Sequence, residues 1–185
     1  MKYAALAMLI VINWVCQPFS SRADQTDPRL NDLFAQLLVQ DNNIALRGIE
    51  SQIWEIWLAY PNPDVERLML LGTASMNAQA TSDALLIFSQ LTESFPNYAE
   101  AWNKRATLYY MLGDLDASIS DIEKTLALEP RHFGALSGLG LVYIQRNELR
   151  KAKQAFEDLV AVHPNSTNAQ TNLDAVNESL RLNVI

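Results

Sequence analysis

The residues of this sequence that are best suited to chemistry are two arginines and a histidine, Arg105, Arg131 and His132. Arg131 and His132 directly precede a predicted helix, and the N-terminus of a helix attracts anions. With Arg105 close by, the three would form an anion-binding corner. The alternative is an internal ion pair, in which Arg105 is buried and bound to Asp121 or Glu123 on the facing helix. We favour the ion pair, because an unpaired buried charge is costly.

Other kinds of catalytic chemistry have little support. His132 and His163 are the only histidines, and they do not have the spacing of paired metal ligands. The sequence contains no Gly-x-Ser-x-Gly motif and no glycine-rich phosphate loop, and its one cysteine is Cys16, near the N-terminus. We therefore predict no catalytic residue, no metal and no cofactor. An enzyme with a site around His132 and Arg105 is the third and least favoured functional hypothesis.

The helices that position these residues follow a repeat of 34 residues. Each repeat ends at a proline, and the three prolines are Pro96, Pro130 and Pro164. Before each proline, apolar residues recur at the spacing of two consecutive helices, and a proline cannot extend the second one. A small residue occupies the same place in every repeat, where two helices must approach closely: Gly72, Ala106 and Gly140. The period predicts three helical hairpins that stack to build one core.

The residues at fixed places in each segment resemble the signature of the tetratricopeptide repeat, which consists of Trp, Leu-Gly, Tyr, Ala, Phe and Pro. The matching residues are Leu71, Gly72, Ala84 and Phe88 in the first segment, Trp102, Ala106 and Tyr109 in the second, and Gly140, Tyr143, Ala152 and Phe156 in the third. The resemblance implies an all-α fold, a right-handed α-solenoid of stacked antiparallel helix hairpins. It places the full repeats at 65–98, 99–132 and 133–166.

Two further segments complete one predicted domain over residues 24–185. Residues 29–62 have the shape of a helical hairpin without the repeat signature, and we predict a degenerate first repeat that caps the stack. Trp54 and Trp57 would then lie in its contact with the next hairpin. Residues 167–182 are predicted to form a single capping helix at the other end.

In tetratricopeptide arrays the first helices of successive repeats line a concave groove, and the resemblance therefore implies which side chains face a ligand. The predicted groove residues are Glu66, Met69, Thr73, Met76, Asn77, Glu100, Asn103, Thr107, Tyr110, Met111, Gly134, Ser137, Leu141, Ile144 and Gln145. Their mixture of methionine, aliphatic and neutral polar groups suits an extended peptide or an amphipathic helix. Some family members bind a C-terminal carboxylate with Lys, Arg and Asn. Only Asn103 matches such a position here, and we expect no carboxylate clamp.

The first 23 residues are typical of a cleaved secretory signal peptide. Lys2 gives a positive start, residues 3–15 are almost wholly apolar, and Ser21 and Ala23 are the small residues that a signal peptidase reads. The apolar run is shorter than the roughly 20 residues that span a bilayer, which disfavours the alternative of a retained anchor. We expect cleavage after Ala23, a periplasmic or secreted location, and no membrane insertion after cleavage.

The charge of the chain narrows the range of partners. Its formal net charge is −7, which disfavours binding to nucleic acid or to an anionic membrane surface. The first functional hypothesis is a non-catalytic module that binds a peptide or helix of a partner protein in the groove, within the cell envelope. The second is a structural or assembly adaptor of an envelope complex, which uses the convex face or the cap.

Overall fold

The computed structural model describes residues 24–182, and the regular structure of this part of the chain is helical. The helices are α1 (Arg29–Val39), α2 (Asn43–Leu58), α3 (Pro63–Asn77), α4 (Thr81–Ser94), α5 (Ala99–Leu112), α6 (Leu115–Leu128), α7 (Phe133–Gln145), α8 (Leu149–Val162) and α9 (Thr167–Leu182). The predicted signal peptide, residues 1–23, lies outside the described residues. None of the described helices is both long and apolar enough to cross a bilayer. The predicted all-α repeat fold is confirmed.

Three hairpins, α3–α4, α5–α6 and α7–α8, share one register. Each turns at a residue with a left-handed backbone, and these residues are Gln79 (φ 59°), Gly113 (φ 79°) and Asn147 (φ 58°). Glycine adopts this conformation without strain, and asparagine tolerates it better than most residues. The three turn residues stand 34 positions apart, as the prolines do. The period seen in the sequence is therefore a period of backbone geometry.

The small residue of each repeat lies where its two helices come closest. A Cβ atom at Gly140 would lie 2.4 Å from the ring of Phe156, and one at Gly72 would lie 2.8 Å from the ring of Phe88. Both phenylalanines are fully buried. In the middle repeat the Ser118 hydroxyl donates to the Ala106 carbonyl oxygen (2.9 Å). A larger side chain at these places would force the helices of the hairpin apart.

The hairpins stack in chain order, with α4 packed on α5, α6 on α7 and α8 on α9. Successive repeats are joined by short turns that all contain the same backbone hydrogen bond. In this bond the backbone N–H groups of Tyr98, His132 and Ser166 donate to the carbonyl oxygens of Phe95, Glu129 and His163, respectively. These three turns form a row along one edge of the stack. Helix α9 covers the apolar side of the last repeat with Ala169 and Val176, both buried.

The hairpin α1–α2, which we call the N-terminal brace, does not take the place of a first stacked repeat. Helix α1 packs on α8, and α2 packs on α5. Hydrogen bonds tie the brace, together with Gln25 just before it, to each turn of the row. At the first turn Gln25 donates to the Asn97 carbonyl oxygen (2.5 Å) and the Tyr98 hydroxyl donates to the Leu58 carbonyl oxygen (2.6 Å). Arg131 donates to Asn31 (3.0 Å) at the second turn, and Asn165 donates to the Gln40 carbonyl oxygen (2.8 Å) at the third. The hairpin predicted for residues 29–62 is present, and it packs on α5 and α8. The brace lies alongside the stack and spans all three repeats.

The two tryptophans of α2 explain this position. Trp57 stacks on His132 (centroids 4.1 Å apart, interplanar angle 11°), and Trp54 packs edge-on against Phe133 (5.2 Å). Gly134 makes room for Trp54, since a Cβ there would lie 2.7 Å from the indole. Trp57 is in the core and the partly buried Trp54 packs against it. Both contact the turn before α7, whereas the sequence suggested the next hairpin. Helical spacing identifies the apolar face of α2 and leaves its partner unspecified.

Candidate functional site

A cavity of about 330 Å³ opens between α5 and α7, with α6 as its floor. We call it the groove cavity. Seven of the predicted groove residues line it: Asn103, Thr107, Tyr110, Met111, Gly134, Ser137 and Leu141. Ile122 and Val142, both buried, provide an apolar floor. No charged side chain of the described residues lines this cavity. Its size and lining suit one or two apolar side chains of a bound chain.

The other predicted groove residues are distributed differently. Met69 is fully buried in the core of the first repeat, and Glu66 accepts a hydrogen bond from the Tyr60 backbone N–H (3.1 Å). Thr73 and Met76 are half-buried on α3, outside the groove cavity. The exposed residues at the ends of α3 and α7 are Asn77, Ile144 and Gln145. The first repeat thus contributes no lining residue to this cavity.

Glu100 belongs to an internal network and does not face the groove. Its carboxylate accepts hydrogen bonds from His132 Nε2 (3.0 Å) and Asn103 Nδ2 (3.0 Å), and the Lys104 ammonium lies 3.2 Å away. His132 Nδ1 accepts from the Ala135 backbone N–H (3.1 Å), which assigns the ring proton to Nε2. Glu100 and His132 are both fully buried. The network joins the second repeat to the turn on which the N-terminal brace rests.

Ionisation of Glu100 makes this network sensitive to acid. Burial opposes the charge, but the hydrogen bond from His132 and the ammonium of Lys104 outweigh it, and the pKa of Glu100 lies below its ordinary value of 4.5. The unfolded chain therefore takes up the proton at a higher pH than the folded chain. Ionised Glu100 therefore makes its whole contribution to the free energy of unfolding above about pH 5. This contribution is lost as the pH falls through the lowered pKa of Glu100.

We expect Glu100→Gln to flatten the loss of stability below about pH 5, because the replaced group no longer titrates. Urea unfolding between neutral and acidic pH measures this slope. Glu123→Gln, at an exposed position of α6, is the matched control. An acid slope that is equal in both variants would contradict the prediction.

The residues of the anion-corner hypothesis form separate ion pairs. Arg105 donates to both carboxylate oxygens of Asp121, from Nε (2.7 Å) and Nη2 (2.9 Å). Arg131 donates in the same bidentate manner to Glu129 (2.9 Å for each bond). His132 binds Glu100, as described above. Each of the three side chains thus has its own carboxylate partner. This arrangement corresponds to the internal ion pair and leaves no common anion site for the three residues.

A second cavity, of about 190 Å³, adjoins the groove cavity. Gly134 and Ser137 line both of them, while Glu50 from the brace and His163 from the end of α8 line only the smaller one. Glu50 Oε1 lies 2.9 Å from His163 Nε2. Burial lowers the pKa of His163 against the opposing effect of Glu50, and the imidazole is neutral at pH 7. Glu50 is not among the predicted site residues, because nothing in the pattern of α2 indicates that this side chain reaches the third repeat.

Comparisons with known proteins agree with this architecture. Two family profiles described as tetratricopeptide repeat match residues 69–133 and 109–173. A TPR repeat-containing protein of Rhizobium etli is 31% identical over 152 residues, which is 82% of this chain and 74% of that protein. The match is longer than the stretch from Pro63 to the C-terminus. The similarity therefore extends into the segment before the first full repeat.

Further similar proteins match a smaller part of this chain. DnaJ homolog subfamily C member 3 of Mus musculus is 27% identical over 124 residues, 65% of this chain, and the match spans only 25% of that protein. The first TPR of Spaghetti (RPAP3), solved with the HSP90 peptide SRMEEVD, superposes with a TM-score of 0.61 at 20% identity, over 63% of this chain and 93% of that chain. This likeness shows a shared fold. The chain described here belongs to the tetratricopeptide repeat family.

Proposed function

We propose that this chain is a non-catalytic protein-interaction module that holds a peptide or helix of a partner protein in the groove cavity. The observation that carries the proposal is the cavity itself, a neutral, partly apolar cleft between the first helices of two successive repeats. The TPR structure of Spaghetti was solved with a peptide bound, which supports a peptide as the type of ligand.

The lining of the groove cavity indicates which part of a partner would bind. Its walls are half-buried Tyr110 and Leu141, with exposed Met111 at the rim. Methionine adapts to ligands of different shape, and burial of an apolar side chain against the apolar floor is favourable. The bound segment would therefore anchor itself through one or two apolar residues. The cavity gives an acidic segment such as SRMEEVD no cation to bind.

Location in the cell envelope is part of this proposal. It is supported by the layout of residues 1–23, with a positive start, an apolar run and a small-residue cleavage site. Affinity capture from separate envelope and cytoplasmic extracts tests this location. Recovery of a groove-dependent partner from envelope extract is the expected result. A groove-dependent partner found only in the cytoplasmic extract would contradict the location while leaving the binding function intact.

The groove cavity is tested by Tyr110→Ala combined with Leu141→Ala. We expect the double variant to weaken partner binding about tenfold or more, because it removes both apolar walls. Affinity capture on the immobilised chain, followed by titration of the captured partner, measures the change. Asn103 is unsuitable as a target, since it donates to the buried Glu100 and its replacement would disturb the fold.

One observation favours the second hypothesis, an adaptor that uses another surface. Because the N-terminal brace lies alongside the stack, the leading hairpin exposes three leucines, Leu70 (71% exposed), Leu71 (53%) and Leu86 (71%). Leu70→Ala with Leu86→Ala is therefore the matched control for the groove variant. Loss of capture in the groove variant alone supports the groove. Loss in the control pair alone would instead support an adaptor that docks through this face.

A further inference from the structure

The N-terminal brace contributes Glu50 to the smaller cavity, which adjoins the groove cavity. The two cavities meet at α7, where only small residues, Gly134 and Ser137, line both. At Gly134 the indole of Trp54 fills the space of a side chain, so a chain that lies in the groove cavity would cross α7 over Ser137 to reach the smaller cavity. At the far side it meets Glu50, which the brace contributes. The binding surface thus combines side chains from the repeats with one carboxylate from outside them.

We propose that the bound peptide carries a lysine or arginine whose side chain enters the smaller cavity and pairs with Glu50. The inference rests on the proposed function and names the chemistry of the partner. Glu50 would then help to determine which peptides bind. The brace would have this role in addition to holding the repeats together.

The smaller cavity has a negative charge, which Glu50 supplies. Glu50 is 31% exposed, so its carboxylate is accessible from the cavity while part of it is shielded from water. Its neighbour His163 is neutral at pH 7, because burial lowers the pKa of the imidazole. No lysine or arginine of the described residues lines either cavity. Glu50 therefore keeps a net negative charge that attracts a cation and repels an acidic segment.

The lining of the smaller cavity combines apolar and polar groups. Phe133 and Leu159 provide apolar wall, while Ser166 and Asn168 provide polar groups at the start of α9. A lysine or arginine side chain matches this combination, since its apolar stem packs on apolar wall and its charged end reaches a carboxylate. Apolar residues of the same peptide would occupy the adjoining groove cavity.

Peptide selection on the full chain tests the proposal. A phage library of random peptides is panned against the wild-type chain, Glu50→Gln, Glu50→Lys and the control Glu55→Gln, which changes another glutamate of α2 that lines neither cavity. We expect the wild type and Glu55→Gln to enrich peptides with a basic residue beside apolar ones, and Glu50→Lys to enrich acidic residues. Synthetic copies of the wild-type peptides, acetylated and amidated, should bind Glu50→Gln about fivefold more weakly. Circular dichroism verifies that each variant is folded.

The outcomes separate this inference from the function on which it rests. Enriched peptides that need Tyr110 and Leu141 but lack a basic residue, or that bind Glu50→Gln unchanged, would overturn the inference and leave the groove function standing. Binding that disappears on acetylation would assign the cation to the peptide amino terminus and also overturn it. Failure to obtain any peptide that depends on Tyr110 and Leu141 would overturn the groove function itself.

Discussion

Trp57→Ala is expected to lower the free energy of unfolding by about 3–5 kcal/mol. The indole is 1% exposed, stacks in parallel on His132 and packs on Phe34 from the same hairpin. Removing it leaves a void between the N-terminal brace and the turn before α7. It also uncovers the buried pair of His132 and Glu100, whose hydrogen bond depends on exclusion of water. Guanidinium unfolding of the full chain, followed by circular dichroism, measures the loss.

The matched control for this prediction is Ile44→Ala. Ile44 lies on the same helix but is 76% exposed, and its replacement should change the free energy of unfolding by less than about 0.5 kcal/mol. If Trp57→Ala proved as mild as the control, the brace would not be docked on the stack as described. A large loss confined to Trp57→Ala supports the docked position.

Asp121→Ala is expected to destabilise the protein by a similar amount, about 3–5 kcal/mol, because it leaves a guanidinium without its carboxylate inside the second repeat. The Arg105 side chain is only 14% exposed and is held between α5 and α6. Its guanidinium also lies over the rings of Trp102 (4.9 Å) and Tyr109 (5.7 Å), which limits its escape to solvent. Chemical denaturation at neutral pH measures the change.

A double variant separates the loss of the ion pair from the loss of packing. Arg105→Leu introduces the leucine of the Leu-Gly pair in the repeat signature, since Arg105 precedes Ala106 as Leu71 precedes Gly72. Combined with Asp121→Ala, it removes both charges. We expect the double variant to recover most of the stability that Asp121→Ala loses, since no buried charge remains unpaired. If the double variant were as unstable as Asp121→Ala, the unpaired guanidinium would not be the cause of the loss.

The repeats could be predicted from the sequence because their determinants are local. A proline that ends a helix, a glycine at a helix crossing and an aromatic residue one turn away all act within a single hairpin. The partner of Arg105 could be narrowed to Asp121 or Glu123 for the same reason, since both lie on the adjacent helix of the same repeat, and the structure shows Asp121. The period of 34 residues then brings α5 and α7 into equivalent positions. For this reason seven predicted groove residues surround one cavity.

The position of the N-terminal brace could not be predicted, because it depends on contacts between distant parts of the chain. The spacing of apolar residues in α2 shows that one face is buried, but it contains no information about His132 and Phe133 as partners. The part of Glu50 in the smaller cavity follows from that position and was missed with it. In the first repeat, Met69 departs from the groove pattern because it packs into the core around Phe88.

The brace links the beginning of the described chain to its end, and this has a consequence for the order of folding. Asn165 and Gln40 are hydrogen-bonded across 125 positions of sequence. During synthesis α1 and α2 emerge long before the third repeat, on which they pack. Their apolar face therefore remains exposed to solvent until that repeat has formed. Contacts of such long range slow folding. They also mean that melting of the last repeat releases the first two helices, so that the two ends of the array are lost together.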